Sequence, residues 1–279
     1  MKSASSASQV VLLSYVPNVE RVCAAAMRSC NSAHSSHTLY SQQALDGEPA
    51  LDEGRTASLL QKALEMGHHS VLEHACFTFD LQSISRACSH QLVRHRLASY
   101  SQQSQRHVRI TRGCGYIKPR SVDGITAQVQ MNGVNMQLTF DDAMDLAKQI
   151  EEAFLIQGVK AEDARYVRPN AATTNITVSM NARELLHFLA LRCATPAQWE
   201  IRDMAWAMFA CLKLVAPTIF RTLRISNTDS VVREKTMKLE GIVCGAYAVF
   251  RTAPLGTLME ISLGELGLEH TVSAFVEKR

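Results

Sequence analysis

The chain has 279 residues, of which 47% are hydrophobic and 20% are charged, and its formal net charge is +3. This length allows one large domain or two ordinary ones, and the composition is typical of a globular protein. The charge is too mild for a general nucleic-acid-binding protein, and no apolar run is long enough for a membrane span or a secretory signal. We therefore expect a cytoplasmic protein with no membrane partner.

The first part of the chain predicts a strand followed by a helix. Residues 1–8 are rich in Ser and Ala, which predicts a disordered terminus. Residues 9–16 are rich in Val and Leu, which predicts a strand before Pro17. Residues 19–28 predict a helix, and the polar residues 31–53 predict a long loop.

The next part predicts a helix, a turn and a strand. Residues 55–66 have helical apolar spacing, and Gly67 is placed to end that helix. Ser70 and Glu73 have the spacing of a capping box that opens a short turn. Apolar and polar residues alternate over 76–81, which predicts a strand.

A helix is predicted to start at Ser83 or Ser85 and to reach about Arg96, followed by a loop over 98–106. If Arg94 and Arg96 are helical, their side chains are about 200° apart around the helix axis and point to different places. The remaining predicted elements are a loop over 113–124, helices over 138–157 and 161–166, a strand over 174–180, a helix over 182–192 and an apolar helix over 197–223 that bends near Pro217. Helices and strands mix without βαβ regularity, which indicates an α+β fold.

The C-terminal segment covers residues 226–279, and its part from residue 240 to 279 holds short apolar runs with glycines. It predicts either a small β unit or an appended interaction segment. We expect this extension to be dispensable for chemistry, because it contains no cluster of polar residues at catalytic spacing.

Positive charge is concentrated in one interval. No acidic residue occurs between Asp80 and Asp123, and the interval carries Arg86, Arg94, Arg96, Arg106, Arg109, Arg112, Lys118 and Arg120. Arginine binds phosphate oxygens through two parallel hydrogen bonds, and neighbouring Ser and Gln side chains can bind sugars and bases. A solvated basic face is the simpler reading, but apolar residues such as Leu92 and Leu97 are interspersed, so the interval predicts a site for a phosphate-bearing heterocycle.

Two rival functions use the same region. A nucleic-acid-binding module over 86–120 would need aromatic platforms for bases, and only Tyr100 and Tyr116 are present. A metal enzyme would draw its ligands from His68, His69, His74, Cys76 and His90, whose spacing matches no usual zinc motif. The eight cysteines form no Cys-x-x-Cys pair, which favours reduced thiols.

Three blocks resemble the flavin-dependent thymidylate synthases, the ThyX family. The blocks are Gly67-His68-His69-Ser70-Val71-Leu72-Glu73-His74, then Arg94-His95-Arg96 followed after seven residues by Ser104, and Asn181 to Arg192 followed by Ala197 to Arg202. They occur in the family's order, and the resemblance covers roughly residues 10–225. It implies a catalytic domain over 9–225, built as a central, mostly antiparallel sheet packed by helices, with 226–279 outside it.

The resemblance also implies a reaction: reductive methylation of dUMP to dTMP. In that family methylenetetrahydrofolate gives the carbon, NADPH is the reductant, and FAD carries the hydride. The resemblance further implies a homotetramer whose active sites are shared between subunits, and it implies no metal.

The family's contacts carry over onto positions of this sequence. Flavin contacts fall on Ser70, Glu73, Arg94, His95, Arg96, Ser101, Asn181, Arg183 and His187. The dUMP contacts fall on Gln91, Arg94, Gln102, Ser104, Gln105, Arg106, Arg165 and Arg192. We expect Arg192 to stabilise negative charge on the uracil, and Ser104 to bind and orient the nucleotide.

The sequence departs from the family pattern at Ser101, Gln102, Gln105, His107 and Pro196, where Asn, Glu, Gly, Tyr and His are common. An amide at position 102 cannot act as a general base. Because the arginines and Ser104 remain, the changes indicate a subfamily variant and not an inactive site.

Structural roles are the alternative for several of these residues. Glu73 could be a helix cap, and His187 could be a hydrogen-bonded core histidine. Arg183 and Arg192 lie near opposite faces of one predicted helix, so one of them could be a surface salt-bridge partner.

Overall fold

The computed structural model describes residues 8–41, 49–106, 115–221, 229–268 and 270–276. The strands are β1 Gln9–Tyr15, β2 Cys76–Ser85, β3 Ala98–Gln102, β4 Thr126–Met131, β5 Val134–Thr139, β6 Thr173–Asn181, β7 Leu258–Ile261 and β8 Thr271–Phe275. The α-helices are α1 Val19–Ser29, α2 Ser36–Tyr40, α3 Glu53–Met66, α4 Arg86–Leu92, α5 Phe140–Ile156, α6 Ala161–Ala164, α7 Ala182–Arg192, α8 Trp199–Val215 and α9 Ser230–Thr252. Short 3-10 helices lie at His69–His74, Arg120–Val122, Arg165–Val167 and Gly264–Leu266.

Six of the strands form one sheet in the order β3-β6-β2-β1-β8-β7. Strand β1 pairs in parallel with β8, in a register that sets Val10 opposite Val272, and β8 pairs antiparallel with β7. Strands β4 and β5 form a separate antiparallel hairpin. The fold is α+β with a mostly antiparallel sheet, as the sequence predicted.

The chain divides into two compact units. The first unit consists of Met1–Ser8, Gln82–Arg94 and Ser101–Ile176. The second unit consists of Gln9–Leu81, His95–Tyr100 and Thr177–Arg279.

The second unit is organised around helix α8. Its N-terminus is capped by the Gln198 side chain, whose oxygen accepts hydrogen bonds from the backbone N–H groups of Glu200 and Ile201. Trp206 and Phe209 of this helix are fully buried, and their ring centroids lie 5.9 Å apart. The helix packs against β1 and β8. Because α8 is apolar on nearly all sides, it is stable only when it is enclosed in this way.

The first unit is held by backbone pairing and by one buried ion pair. The backbone N–H of Gln103 donates to the carbonyl of Asn175 at 2.9 Å. Glu151 of α5 accepts hydrogen bonds from Nε of Arg168 at 2.7 and 2.8 Å, and both side chains are nearly buried. A paired buried carboxylate of this kind fixes the Arg165–Arg168 segment against α5.

The helix predicted to reach Arg96 is shorter than expected. Its N-cap is Ser85, as predicted, but it ends at Leu92. His95 is 5% exposed, and its carbonyl accepts a hydrogen bond from the Tyr100 hydroxyl at 2.8 Å. The prediction that the helix reaches Arg96 is therefore wrong, and the 200° separation of Arg94 and Arg96, which required both residues to be helical, does not apply.

Three further element predictions are corrected. The loop predicted over 98–106 contains strand β3. Ser70 lies inside the 3-10 helix His69–His74, whose N-cap is His68, so the predicted capping box is wrong. The apolar helix predicted to reach residue 223 ends at Val215, because Pro217 disfavours helical backbone in the residue before it.

The polar stretch 31–53 is only partly a loop, since it contains α2. Strand β1 and helices α1, α3, α5 and α7 lie where the sequence placed them, within one or two residues, and Gly67 ends α3 with φ of 76°. The predicted disorder of residues 1–8 concerns positions that, apart from Ser8, lie outside the described residues.

The C-terminal segment forms α9 and then strands β7 and β8 of the main sheet. Val272 and Ala274 of β8 are fully buried. The small β unit that the sequence offered as one possibility is therefore part of the six-stranded sheet and is preceded by a long helix. The division into a catalytic domain and an extension stays a prediction.

The seven described cysteines are free thiols. No helix among the described residues is both long and apolar enough to cross a bilayer. In the same part of the chain, no group of three or more His, Cys, Asp and Glu side chains is arranged to hold a metal ion.

Candidate active site

Helix α7 and its N-cap carry four of the eight candidate side chains of the second unit, namely Asn181, Arg183, His187 and Arg192. The Asn181 side chain caps the helix by accepting a hydrogen bond from the backbone N–H of Glu184 at 2.9 Å. The backbone N–H of Ala182 donates to the carbonyl of Ala75 at 2.7 Å. These contacts fix the start of α7 beside the 3-10 helix His69–His74.

An ion pair joins helix α7 to the 3-10 helix His69–His74. Nη1 of Arg183 lies 2.6 Å from Oε1 of Glu73, and both side chains are about half exposed. Glu73 is therefore an ion-pair partner and not a helix cap. Because the pair is exposed, we expect it to add little to stability, so its groups remain available to orient a ligand.

A second set of contacts surrounds the buried His95. Its Nδ1 lies 3.3 Å from Oε1 of Glu184, and its Nε2 lies 3.1 Å from Nε of Arg192. The His95 ring packs edge-on against Phe188, with centroids 4.9 Å apart, and lies 6.1 Å from the ring of His187. The side chain of Arg192 is thus attached to the core of the second unit at the end of α7.

These surroundings change the acidity of both buried groups. Burial lowers the pKa of His95 to about 4, and the nearby charges of Arg192 and His187 act in the same direction. Burial raises the pKa of Glu184, while His187 acts to lower it. His95 is therefore neutral near neutral pH, because burial and the adjacent positive charge of Arg192 both disfavour its protonated form.

The second unit contains a cavity of about 790 Å³ beside these groups. It is lined by Gln61, Leu64, Glu65, His69, Leu97, Arg183, Glu184, Leu186, His187, Ala190, Thr218, Ile219 and Arg221. Nε2 of His69 is buried and has no hydrogen-bond partner within the described part of the chain. A cavity of this volume is large enough for a cofactor. Its lining combines apolar side chains, positive charges and the unsatisfied nitrogen of His69. These residues fit a large anionic heterocycle such as a flavin nucleotide.

In the first unit, the end of β3 and the segment after it carry four of the predicted nucleotide contacts: Gln102, Ser104, Gln105 and Arg106. Nε2 of Gln102 donates to Oγ1 of Thr174 at 3.3 Å. Oγ of Ser104 accepts a hydrogen bond from the backbone N–H of Arg106 at 3.2 Å. The amide of Gln102 and the hydroxyl of Ser104 are therefore held in place by their neighbours, as binding and orienting groups should be.

A group of cations also lies in the first unit. The pKa of Arg86 is lowered by burial and by the charges of Arg165 and Arg168. Glu151 neutralises Arg168, but Arg86 and Arg165 still repel each other, which an anion would relieve. Lys118, by contrast, already pairs with Asp123 at 3.0 Å and Asp141 at 3.2 Å.

Comparison with known proteins decides the family. The model of a family described as "Thymidylate synthase complementing protein" matches residues 11–218. The flavin-dependent thymidylate synthase of Geobacter sulfurreducens is 46% identical over 213 residues, which cover 76% of this chain and 85% of that protein. This chain belongs to the flavin-dependent thymidylate synthase family. The protein of the same description from Clostridium tetani is 39% identical over 232 residues, or 79% of this chain and 88% of that protein.

A solved structure agrees with the fold of this family member. It is the UMP/dUMP methylase PolB from Streptomyces cacaoi bound with 5-Br dUMP, which matches with a TM-score of 0.61 and 22% sequence identity. The match covers 79% of this chain and 98% of that protein. At this identity the likeness shows the fold alone.

The predicted site residues fall in both units of this family member. Ser70, Glu73, His95, Arg96, Asn181, Arg183, His187 and Arg192 belong to the second unit. Gln91, Arg94, Ser101, Gln102, Ser104, Gln105, Arg106 and Arg165 belong to the first unit. Within the second unit the structure joins Glu73 to Arg183 and His95 to Arg192. His107, one of the departures from the family pattern, lies outside the described residues, as do Arg109 and Arg112.

Sequence reasoning missed three residues of these sites. In the sequence, Glu184 is only a member of a family block, His69 is only a possible metal ligand outside its block, and Arg86 is only one of the clustered charges. Their positions depend on the packing of α7 and of the Arg165–Arg168 segment. His187 is exposed and lines the cavity, so the core-histidine reading is wrong.

Proposed function

We propose that this chain is a flavin-dependent thymidylate synthase that reductively methylates dUMP to dTMP. FAD is its flavin, methylenetetrahydrofolate is the carbon donor, and NADPH is the reductant. The observation that carries the proposal is the attachment of Arg192 to the buried His95, beside a cavity large enough for a flavin nucleotide. A guanidinium fixed in this way is suited to bind a uracil carbonyl.

The flavin would be held by the cavity walls of the second unit. Arg183 and His187 supply charge and hydrogen bonds, Leu97 and Leu186 supply apolar surface, and His69 has a nitrogen to satisfy. Ser70, Glu73, His95, Arg96 and Asn181 complete the proposed flavin set of this unit, and Arg94 and Ser101 are the proposed flavin ligands of the first unit. Bound flavin supplies the hydride transfer, and the protein supplies position and polarisation.

Arg192 would act on the pyrimidine. For C5 of uracil to attack a carbon donor, negative charge must build up on a ring carbonyl oxygen. A guanidinium already fixed toward that oxygen stabilises the charge without reorganising during the reaction. Because the stabilisation grows as charge develops, it favours the transition state over the bound substrate.

The nucleotide phosphate and sugar would be bound by the first unit. Arg94, Arg106 and Arg165 are the proposed phosphate ligands, and Arg86 adds charge beside Arg165. Gln91, Gln102, Ser104 and Gln105 are the proposed hydrogen-bonding groups. The Ser104 hydroxyl orients the nucleotide; it does not attack it, because an unactivated serine is a poor nucleophile.

The assembly we propose is a homotetramer with shared active sites, in the cytoplasm. Helix α5 supports an assembly, because Leu146, Ile150 and Phe154 recur at every fourth position and are each about 40% exposed. Such a stripe normally packs against another surface. The free thiols support a reducing compartment.

An absorption spectrum of the purified protein tests the proposal directly. We expect a flavin spectrum that changes when dUMP is added, and dTMP formation that requires dUMP, methylenetetrahydrofolate and NADPH together. A colourless protein that cannot be loaded with FAD would overturn the proposal. Co-purifying RNA or DNA would point to the nucleic-acid-binding alternative, which the family membership does not support.

A further inference from the structure

Glu184, His95 and Arg192 form a chain of hydrogen bonds within the second unit. Oε1 of Glu184 lies 3.3 Å from Nδ1 of His95, and Nε2 of the same ring lies 3.1 Å from Nε of Arg192. The side chains of Glu184 and His95 are 8% and 5% exposed, so this part of the chain is sheltered from water. Glu184 and Arg192 both belong to α7, and His95 connects them from outside the helix.

The chemistry of the three groups fixes where each proton lies. Arginine cannot be deprotonated in proteins, so Nε of Arg192 is a donor and Nε2 of His95 must accept with its lone pair. The proton of the neutral ring then lies on Nδ1, where it is donated to the carboxylate of Glu184. Protonating Nε2 would place two donors face to face, which agrees with the lowered pKa of His95.

We propose that Glu184 is a positioning residue for Arg192, which it orients through the Nδ1–H tautomer of His95. The carboxylate selects the tautomer, the tautomer makes Nε2 an acceptor, and the acceptor fixes the rotation of the guanidinium about its long axis. The two Nη atoms lie in the same guanidinium plane as Nε, so the contact of Nε with His95 also sets their orientation. The inference rests on the proposed role of Arg192 in thymidylate synthesis.

Other charged and titratable groups around His95 do not replace Glu184 in this role. His187 faces the ring and acts on the acidity of both His95 and Glu184. The Tyr100 hydroxyl donates to the backbone carbonyl of His95, so this hydrogen bond holds the main chain. Phe188 covers the ring edge-on and carries no charge. Glu184 is the acid that contacts the ring among the described residues.

Kinetics of Glu184→Gln test the proposal. The variant keeps the size of the side chain but removes the charge that selects the tautomer. We expect kcat to fall roughly tenfold to a hundredfold, as when a charged hydrogen bond is lost, with KM for dUMP changed less than about threefold. The control is Glu234→Gln, the same change at an exposed carboxylate of α9, which should behave as wild type. Unchanged kcat in Glu184→Gln with normal flavin content would overturn the proposal.

A double variant separates positioning from general damage to the fold. If Glu184 acts through Arg192, adding Glu184→Gln to Arg192→Ala should cause no further loss of activity. If the two losses multiply, Glu184 has another role and the proposal is wrong.

Nuclear magnetic resonance of the nitrogen-15-labelled histidines provides a test that needs no turnover. His95→Gln identifies the signal of His95 in the holoenzyme. At neutral pH we expect the neutral Nδ1–H tautomer in wild type and a loss of that preference in Glu184→Gln. A cationic ring or an Nε2–H tautomer in wild type overturns the inference even if dTMP is formed. If wild type has the expected tautomer but forms no dTMP, it is the proposed function that fails, and the catalytic part of this inference fails with it.

Discussion

At the scale of single residues, the two candidate catalytic side chains have different surroundings. Arg192 is hydrogen-bonded to a buried histidine, whereas the Ser104 hydroxyl accepts a hydrogen bond from the backbone two residues later. The contact with His95 fixes the position of the Arg192 positive charge. The contact at Ser104 fixes only the orientation of a neutral hydroxyl. This difference supports our proposal that Arg192 takes part in the chemical step and that Ser104 positions the nucleotide.

We therefore predict unequal losses from the two substitutions. Arg192→Ala should reduce turnover more than dUMP affinity, and Arg192→Lys should rescue poorly because lysine lacks the planar fork. Ser104→Ala loses one neutral hydrogen bond, so activity should fall by roughly tenfold and not vanish. Single-turnover oxidation of the reduced enzyme, with dUMP and folate saturating, measures both. If Ser104→Ala abolishes that step while Arg192→Ala leaves it intact, the two roles are reversed.

His95 also predicts a dependence of stability on pH. Its pKa is lowered from the usual 6.5 to about 4, so between these values the unfolded chain binds a proton that the folded chain does not. The contribution of His95 to stability is complete above pH 6.5 and is lost as the pH falls toward 4.

Thermal unfolding measures this effect. When the pH is lowered from about 7 to about 5, the Tm of the wild-type protein should fall more than the Tm of His95→Gln. Glu20 and Glu184, whose pKa values are raised by burial, act in the opposite sense, so the informative quantity is the difference between the two proteins. Equal losses of Tm would show that His95 does not titrate as we expect.

At the scale of elements, helix α7 combines a structural and a functional role at its first turn. Asn181 is the N-cap of the helix and also one of the proposed flavin ligands. Glu184 is both the residue whose N–H is capped and the partner of His95. The Asn181 cap therefore helps to position Glu184, which in our proposal orients Arg192 at the C-terminal end of the same helix.

Two substitutions of Asn181 separate these roles. Asn181→Ala should cost about 1 kcal/mol of unfolding free energy, because the cap is lost. Asn181→Asp keeps a capping oxygen, so stability should change little while flavin retention falls if the amide binds the cofactor. Urea denaturation and the flavin absorbance per protein measure the two effects. Loss of stability in both variants would mean that the amide, and not the capping oxygen, stabilises the helix.

At the scale of the whole molecule, the C-terminal segment is part of the second unit. Strand β8 pairs with β1 and is covered by α8, and its residues Val272 and Ala274 are fully buried. Lys213 of α8 reaches Glu240 of α9 at 3.4 Å. The segment lies beyond the family match, which ends at residue 218, yet the sheet depends on it.

The expectation that the extension is dispensable now becomes a sharper prediction. Truncation at Asn227 removes β7 and β8 and exposes β1, so we expect an insoluble protein or one that unfolds at a much lower temperature. Removing only residues 277–279 is the matched control and should be harmless. A folded, flavin-loaded and active protein after the long truncation would show that the extension adds neither stability nor chemistry.

The sequence by itself determined the local elements and the family. Helical spacing placed α7 over 182–192, and alternation placed β2 from residue 76, because periodicity is a property of neighbouring residues. The three blocks indicated the family and most of the proposed site residues. Signals of this kind need no knowledge of which surfaces meet.

Only the tertiary structure decided what depends on distant contacts. The helix after Ser85 stops at Leu92 and His95 is buried, although the local pattern would continue the helix to Arg96. One of the two neighbours of β1 in the sheet is β8, more than 250 residues away, and no local pattern can indicate that pairing. Whether a histidine is charged depends on the water and the ions around it, so the neutral state of His95 and the role of Glu184 follow from burial and packing and not from the order of the residues.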